Sequence, residues 1–110
     1  MKNDQIFLKH ICESIDNIYE FLKDTDRKGF AENKILINAV VRELEIIGEA
    51  ANKLSSEFRE SHTEIIWRNL IDMRNVLIHE YFGVIPESIW ETYKKDLPEL
   101  KEKVDRLIIE

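Results

Sequence analysis

From Leu36 to Ala51 the apolar residues return every three or four positions. Leu36, Ile37, Val40, Val41, Leu44, Ile47, Gly48 and Ala51 fill one broad face of a helix that turns about 100° per residue. A segment with this spacing must bury one side against something else. The same rhythm runs through Ile6, Phe7, Ile11, Ile15, Ile18, Phe21 and Leu22. It predicts two long antiparallel helices, over roughly 4–23 and 31–54. Only three glycines and two prolines punctuate the 110 residues, too few for the many turns of an all-β fold. The expected fold is all-α, an antiparallel bundle of four to five helices forming a single domain over 1–110.

Local signals divide the rest. Asn3 or Asp4 is placed to cap the first helix, and Asp24 to Gly29 reads as a turn. Phe30 is expected to anchor the next element to the core. Ser55 or Ser56 can cap a short helical turn through Phe58, and Thr63 can cap a third helix from about Glu64 to Ile78. Its core candidates are Trp67, Leu70, Ile71, Val76, Leu77 and Ile78. Gly83 and Pro86 end it. A fourth helix starts near Glu87 and carries Ile89, Trp90, Tyr93 and Leu97. Pro98 should break or kink it, before a last segment with Leu100, Val104, Leu107 and Ile108 on one face.

The second long helix has a second feature. Asn38, Arg42, Glu45, Glu49 and Asn52 form a narrow polar stripe with apolar neighbours on both sides. A thin stripe of this kind suits a groove or an interface. It equally suits a solvated row of ion pairs spaced three and four residues apart. Gly48, at the stripe's edge, would let another backbone approach closely.

Bulk properties narrow the function classes. The net charge of −6 argues against a general nucleic-acid-binding surface, so any RNA site must be a local basic pocket on an acidic body. An acidic body also fits a basic protein partner. Cys12 is the single cysteine, which excludes an intramolecular disulfide and a thiolate zinc cluster and fits a reducing cytoplasm. There is no signal-peptide core at the start and no membrane-length apolar run, so a soluble cytoplasmic protein is expected.

The chemistry is concentrated in Arg74-Asn75-Val76-Leu77-Ile78-His79-Glu80-Tyr81. Arginine grips phosphate in a two-pronged fork, and imidazole exchanges protons near neutral pH. On a straight helix, five residues separate Arg74 and His79 by about 140° and roughly 7.5 Å along the axis. They converge only if the helix end unwinds or the long arginine side chain reaches around. The negative end of the helix dipole favours a protonated imidazole at His79, which suits a general acid. The same spacing also fits a helix-end histidine bonded to a carbonyl, with Arg74 in a surface ion pair.

The motif matches, without a gap, the pattern of the HEPN superfamily and of its HepT-like toxins: Arg, a polar residue, three more residues, His, any residue, Tyr. The blocks AVVRELEIIGEAANKLS, IIWRNLIDMRNVLIHEYFGV and IWETYKKDLPELK resemble family blocks over nearly the whole chain. The resemblance implies a homodimeric α-bundle with two motifs facing each other across a cleft. It implies a metal-independent ribonuclease with no cofactor, in which Arg74 and His79 are catalytic and Asn75 orients the phosphate. It also implies a minimal nucleotidyltransferase antitoxin (MntA-like) that silences the toxin by attaching AMP to Tyr81. Arg42, Glu45 and Glu49 are then expected near the cleft. The alternative is a non-catalytic HEPN module that binds nucleotide or scaffolds the nucleotidyltransferase.

Overall fold

The structure, a computed structural model, describes residues 2–79 and 84–109. Among these the chain is all-α, as its apolar spacing predicts. The elements are α1 (Lys2–Leu22), α2 (Arg27–Ala31), α3 (Lys34–Lys53), α4 (Ser56–Ser61), α5 (Trp67–His79), α6 (Pro86–Glu91) and α7 (Leu97–Leu107). A π-helical turn, Thr92–Asp96, joins α6 to α7.

Helix α3 is the centre of the fold, packed against α1 on one side and α5 on the other. Its apolar face supplies Val40, Val41, Leu44, Ile47, Ala50 and Ala51 to a core shared with Leu8, Ile11, Ile15 and Ile18 of α1. Ile6 and Phe21 remain half exposed, so the apolar stripe of α1 is wider than the core it meets. Helix α7 folds back onto α1, with Val104 fully buried.

The ends of the helices follow capping chemistry. Asn33 caps α3, which starts at Lys34, a few residues inside the expected range, its side chain accepting the Leu36 N–H at 3.0 Å. Upstream, the expected turn is partly helical: Asp26 caps α2 by accepting the Gly29 N–H at 2.8 Å. Phe30 on α2 is fully buried and lies 5.7 Å from the Trp90 ring, the anchor its position predicts. Asp4 is not a cap of its own helix, which already runs from Lys2. It is buried, and it accepts the Ser55 N–H at 2.7 Å and the Ser55 hydroxyl at 2.9 Å. The Ser55 oxygen in turn accepts the Phe58 N–H at 3.1 Å and so caps α4.

Two further expectations are corrected and a third is met in part. Helix α5 begins at Trp67, past Thr63, where the Trp67 indole N–H donates to the His62 carbonyl at 2.9 Å. Val76 and Ile78 are surface residues, 54% and 40% exposed, while Leu77 between them is buried. Consecutive helical residues point about 100° apart, so three in a row cannot all face the core. Pro98 does not end the helical path, but the α-helix is interrupted just ahead of it by the π turn, so the expected break is met in part. The π turn ahead of it closes with the Leu97 N–H bonded to the Thr92 carbonyl, and Pro98 sits in the first turn of α7, where its missing N–H is tolerated. Pro86 opens α6 on the same principle.

Candidate active site

Helix α5 leaves the α4 corner and runs back along α3. The two helices meet at Gly48 and Arg74. A Cβ built on Gly48 would lie 2.2 Å from the Arg74 Cβ, 2.7 Å from the Leu70 carbonyl oxygen and 3.0 Å from the Arg74 Cγ. The base of the arginine side chain therefore rests on the glycine surface of α3, the close approach that Gly48 predicts.

From there the side chain turns outward. The Arg74 Nε is buried without a hydrogen-bond partner among the described residues, and Nη1 donates to the Asn75 Oδ1 at 2.8 Å. Asn75 lies one turn before His79, so the two share one side of α5. The outer end of the arginine is thus bonded to Asn75, the residue that shares a side of α5 with His79. His79 is the last residue of α5 and its ring is exposed. The arrangement offers a half-buried cation and an accessible imidazole along one helix edge. Val76 and Ile78, both exposed, flank that edge. Sequence reading missed them as surface features, although their position beside Leu77 is the signal.

The α3 stripe borders the line of contact with α5, since Glu45 and Glu49 are close neighbours of Gly48 on the helix. Its charges answer one another: Arg42 Nη1 lies 3.3 Å from a Glu45 carboxylate oxygen and 3.6 Å from one of Glu49. Arg42 is well exposed, whereas the Glu45 side chain keeps only 16% of its surface. These described ion pairs run within α3: Arg42–Glu45 is the three-residue pair that the spacing also allowed, and Arg42–Glu49 spans two turns. Tyr81, with Glu80 and Gly83, lies outside the described residues.

Cys12 takes no part in this site. It is buried on α1, its thiol donating to Asp105 at 3.2 Å. Burial, then the Asp105 carboxylate, push it up to about 12, so it stays protonated near neutral pH and is a poor nucleophile. Among the described residues no group of three or more His, Cys, Asp or Glu side chains is placed to hold a metal ion, and no helix is long and apolar enough to cross a membrane.

Comparison with known proteins adds a family. Residues 11–107 match the model of the "Ribonuclease HepT-like" family. Over 109 residues the chain is 45% identical to a gamma-glutamylcyclotransferase and candidate RNase of Methanocaldococcus jannaschii, covering 99% of this chain but 49% of that protein, about half its length. It is 42% identical to a candidate RNase of Caldanaerobacter subterraneus subsp. tengcongensis, covering 98% of this chain and 96% of the relative. It is 43% identical to the protein named "Probable ribonuclease HepT" of Thermococcus cleftensis, with 92% of each chain covered. No solved structure gave a match.

Proposed function

Since this chain belongs to the HepT-like ribonuclease family, we propose that it is the toxin ribonuclease of a prokaryotic toxin–antitoxin pair and cleaves RNA without a metal ion through Arg74 and His79. The observation that carries the catalytic assignment is the Arg74–Asn75 hydrogen bond, which turns the guanidinium toward the side of α5 where His79 is exposed. In the reaction a ribose 2′-hydroxyl attacks the adjacent phosphorus and loses its proton. The bond to the 5′ oxygen breaks, and that oxygen gains a proton. Arg74 holds the phosphate as charge builds on its oxygens, and His79 moves a proton. Asn75 fixes the guanidinium. A single imidazole serves one proton transfer at a time, so two motifs facing each other in a C2 homodimer would supply both. The exposed Val76 and Ile78 beside the motif support an interface there, with Arg42, Glu45 and Glu49 at its edge.

Regulation follows from charge. An AMP group added to Tyr81 by an MntA-like nucleotidyltransferase would bring an anion next to the motif, compete for the phosphate position and repel RNA. Intact-mass and peptide mapping after incubation with that enzyme and ATP should show one added AMP on the wild type and none on Tyr81→Phe. An unchanged gain on Tyr81→Phe removes this tyrosine as the switch.

The central experiment is RNA cleavage by the purified wild type beside Arg74→Ala and His79→Ala. Both variants should keep the helical circular dichroism signal and lose cleavage by at least about a hundredfold. Wild-type activity should persist in EDTA. Cleavage that needs Mg²⁺, or that survives both substitutions, overturns the mechanism. No cleavage by the wild type, with nucleotide or nucleotidyltransferase binding retained, leaves the non-catalytic module, which the net charge of −6 favours.

A further inference from the structure

We propose that Gly48 is a positioning residue for Arg74: its missing side chain sets the depth at which α5 lies on α3, and thereby where the guanidinium ends. The inference rests on the reading of Arg74 as the phosphate-holding group. Gly48 is buried in the middle of α3, where glycine is the weaker helix former and alanine would be preferred by the helix alone. What excludes alanine is the neighbour. The two atoms nearest the added methyl would be the Arg74 Cβ at 2.2 Å and the Leu70 backbone oxygen at 2.7 Å. Neither is the free end of a flexible side chain. Ordinary contact begins at 3.4 Å, so α5 would have to lift by more than an ångström.

That displacement falls on the residue whose geometry matters most. The Cβ and Cγ of Arg74 are in the contact, its Nε is buried, and among the described residues its far end is held by Asn75. Lifting the base of the side chain moves the guanidinium with it or breaks the bond to Asn75. A misplacement of this size in a catalytic group costs on the order of a hundredfold in rate.

The test is Gly48→Ala in two backgrounds. Binding of a non-cleavable 2′-O-methyl RNA is measured for the wild type, Gly48→Ala, Arg74→Ala and the double variant, beside cleavage by the first two. Gly48→Ala should keep its helical circular dichroism signal, lose roughly a hundredfold in cleavage and bind the RNA more weakly than the wild type. In the Arg74→Ala background, where the Cβ still meets the methyl but the guanidinium is gone, it should weaken RNA binding less than in the wild type. The contact itself is read without RNA: Arg74→Gly removes two of the three atoms the methyl would meet, so Gly48→Ala should lower Tm less in that background than in the wild type. Should Gly48→Ala be unfolded alone, recovery of the helical signal on adding Arg74→Gly is the supporting result and no recovery the overturning one. Full cleavage by a folded Gly48→Ala overturns the proposal while leaving the active-site reading intact, provided Arg74→Ala is inactive. Equal losses of RNA binding in both backgrounds also overturn it. Full cleavage by Arg74→Ala overturns both.

Discussion

Asp4 is the residue whose role differs most from its local signal. In sequence it reads as a candidate cap of the first helix. In the fold it is buried and holds the Ser55 backbone and hydroxyl together, so one carboxylate ties the start of α1 to the corner between α3 and α4. Hydrogen bonds to a charged group contribute more than neutral ones, and removing one partner strands the other. Asp4→Ala should therefore destabilise by about 2 kcal/mol, lowering Tm by on the order of 10 °C for a chain of this size. Calorimetry checks it, and an unchanged Tm would show that Ser55 is satisfied without the carboxylate. Arg74 illustrates the same point at the candidate active site. Its identity is plain in the sequence, but its direction depends on Asn75 and on the surface beneath it.

Short elements carry more weight than their length suggests. Helix α2 has five residues and could not persist alone. Phe30 docks it, its ring fully buried against Trp90 of α6. Phe30→Ala should cost about 3–5 kcal/mol, measured by urea unfolding, and a cost under about 1 kcal/mol would mean that α2 is held by its Asp26 cap alone. The π turn at Thr92–Asp96 is a second such device. It takes in Tyr93, whose ring packs edge-on against Tyr19 of α1 and Trp90. By widening the helix ahead of Pro98 it lets the path to α7 continue where a strict α-helix would meet the proline ring.

For the whole molecule the open question is assembly. Apolar side chains left together at the surface, as Val76 and Ile78 are beside the Arg-His motif, are costly in water unless something covers them. If a second copy does, Val76→Glu combined with Ile78→Glu should yield a monomer by light scattering, with the helical signal retained and cleavage lost. A wild type that is monomeric at micromolar concentration, or a double variant that stays dimeric, would count against the two-motif cleft. The net charge of −6 makes a further expectation natural: RNA affinity should depend only weakly on salt, because few phosphates can be neutralised on an acidic body.

The sequence by itself determined the helical class, the two long helices within a few residues, the place of Phe30 and the identity of the Arg-His motif. Each rests on information local to the chain: apolar period, capping chemistry, and residue types at fixed spacing. Gly48 was legible too, as a position where a neighbour could come close. What only the tertiary structure decided is which neighbour comes. It is Arg74, rather than another helix face, that lies on Gly48. It is Leu77 alone, of three consecutive apolar residues, that turns inward, and it is Ser55 that Asp4 reaches across fifty-one positions. A helical wheel lists the directions in which side chains point but not the partner met in each. That choice is made by the packing of α1 and α5 on the two sides of α3, which no local pattern encodes.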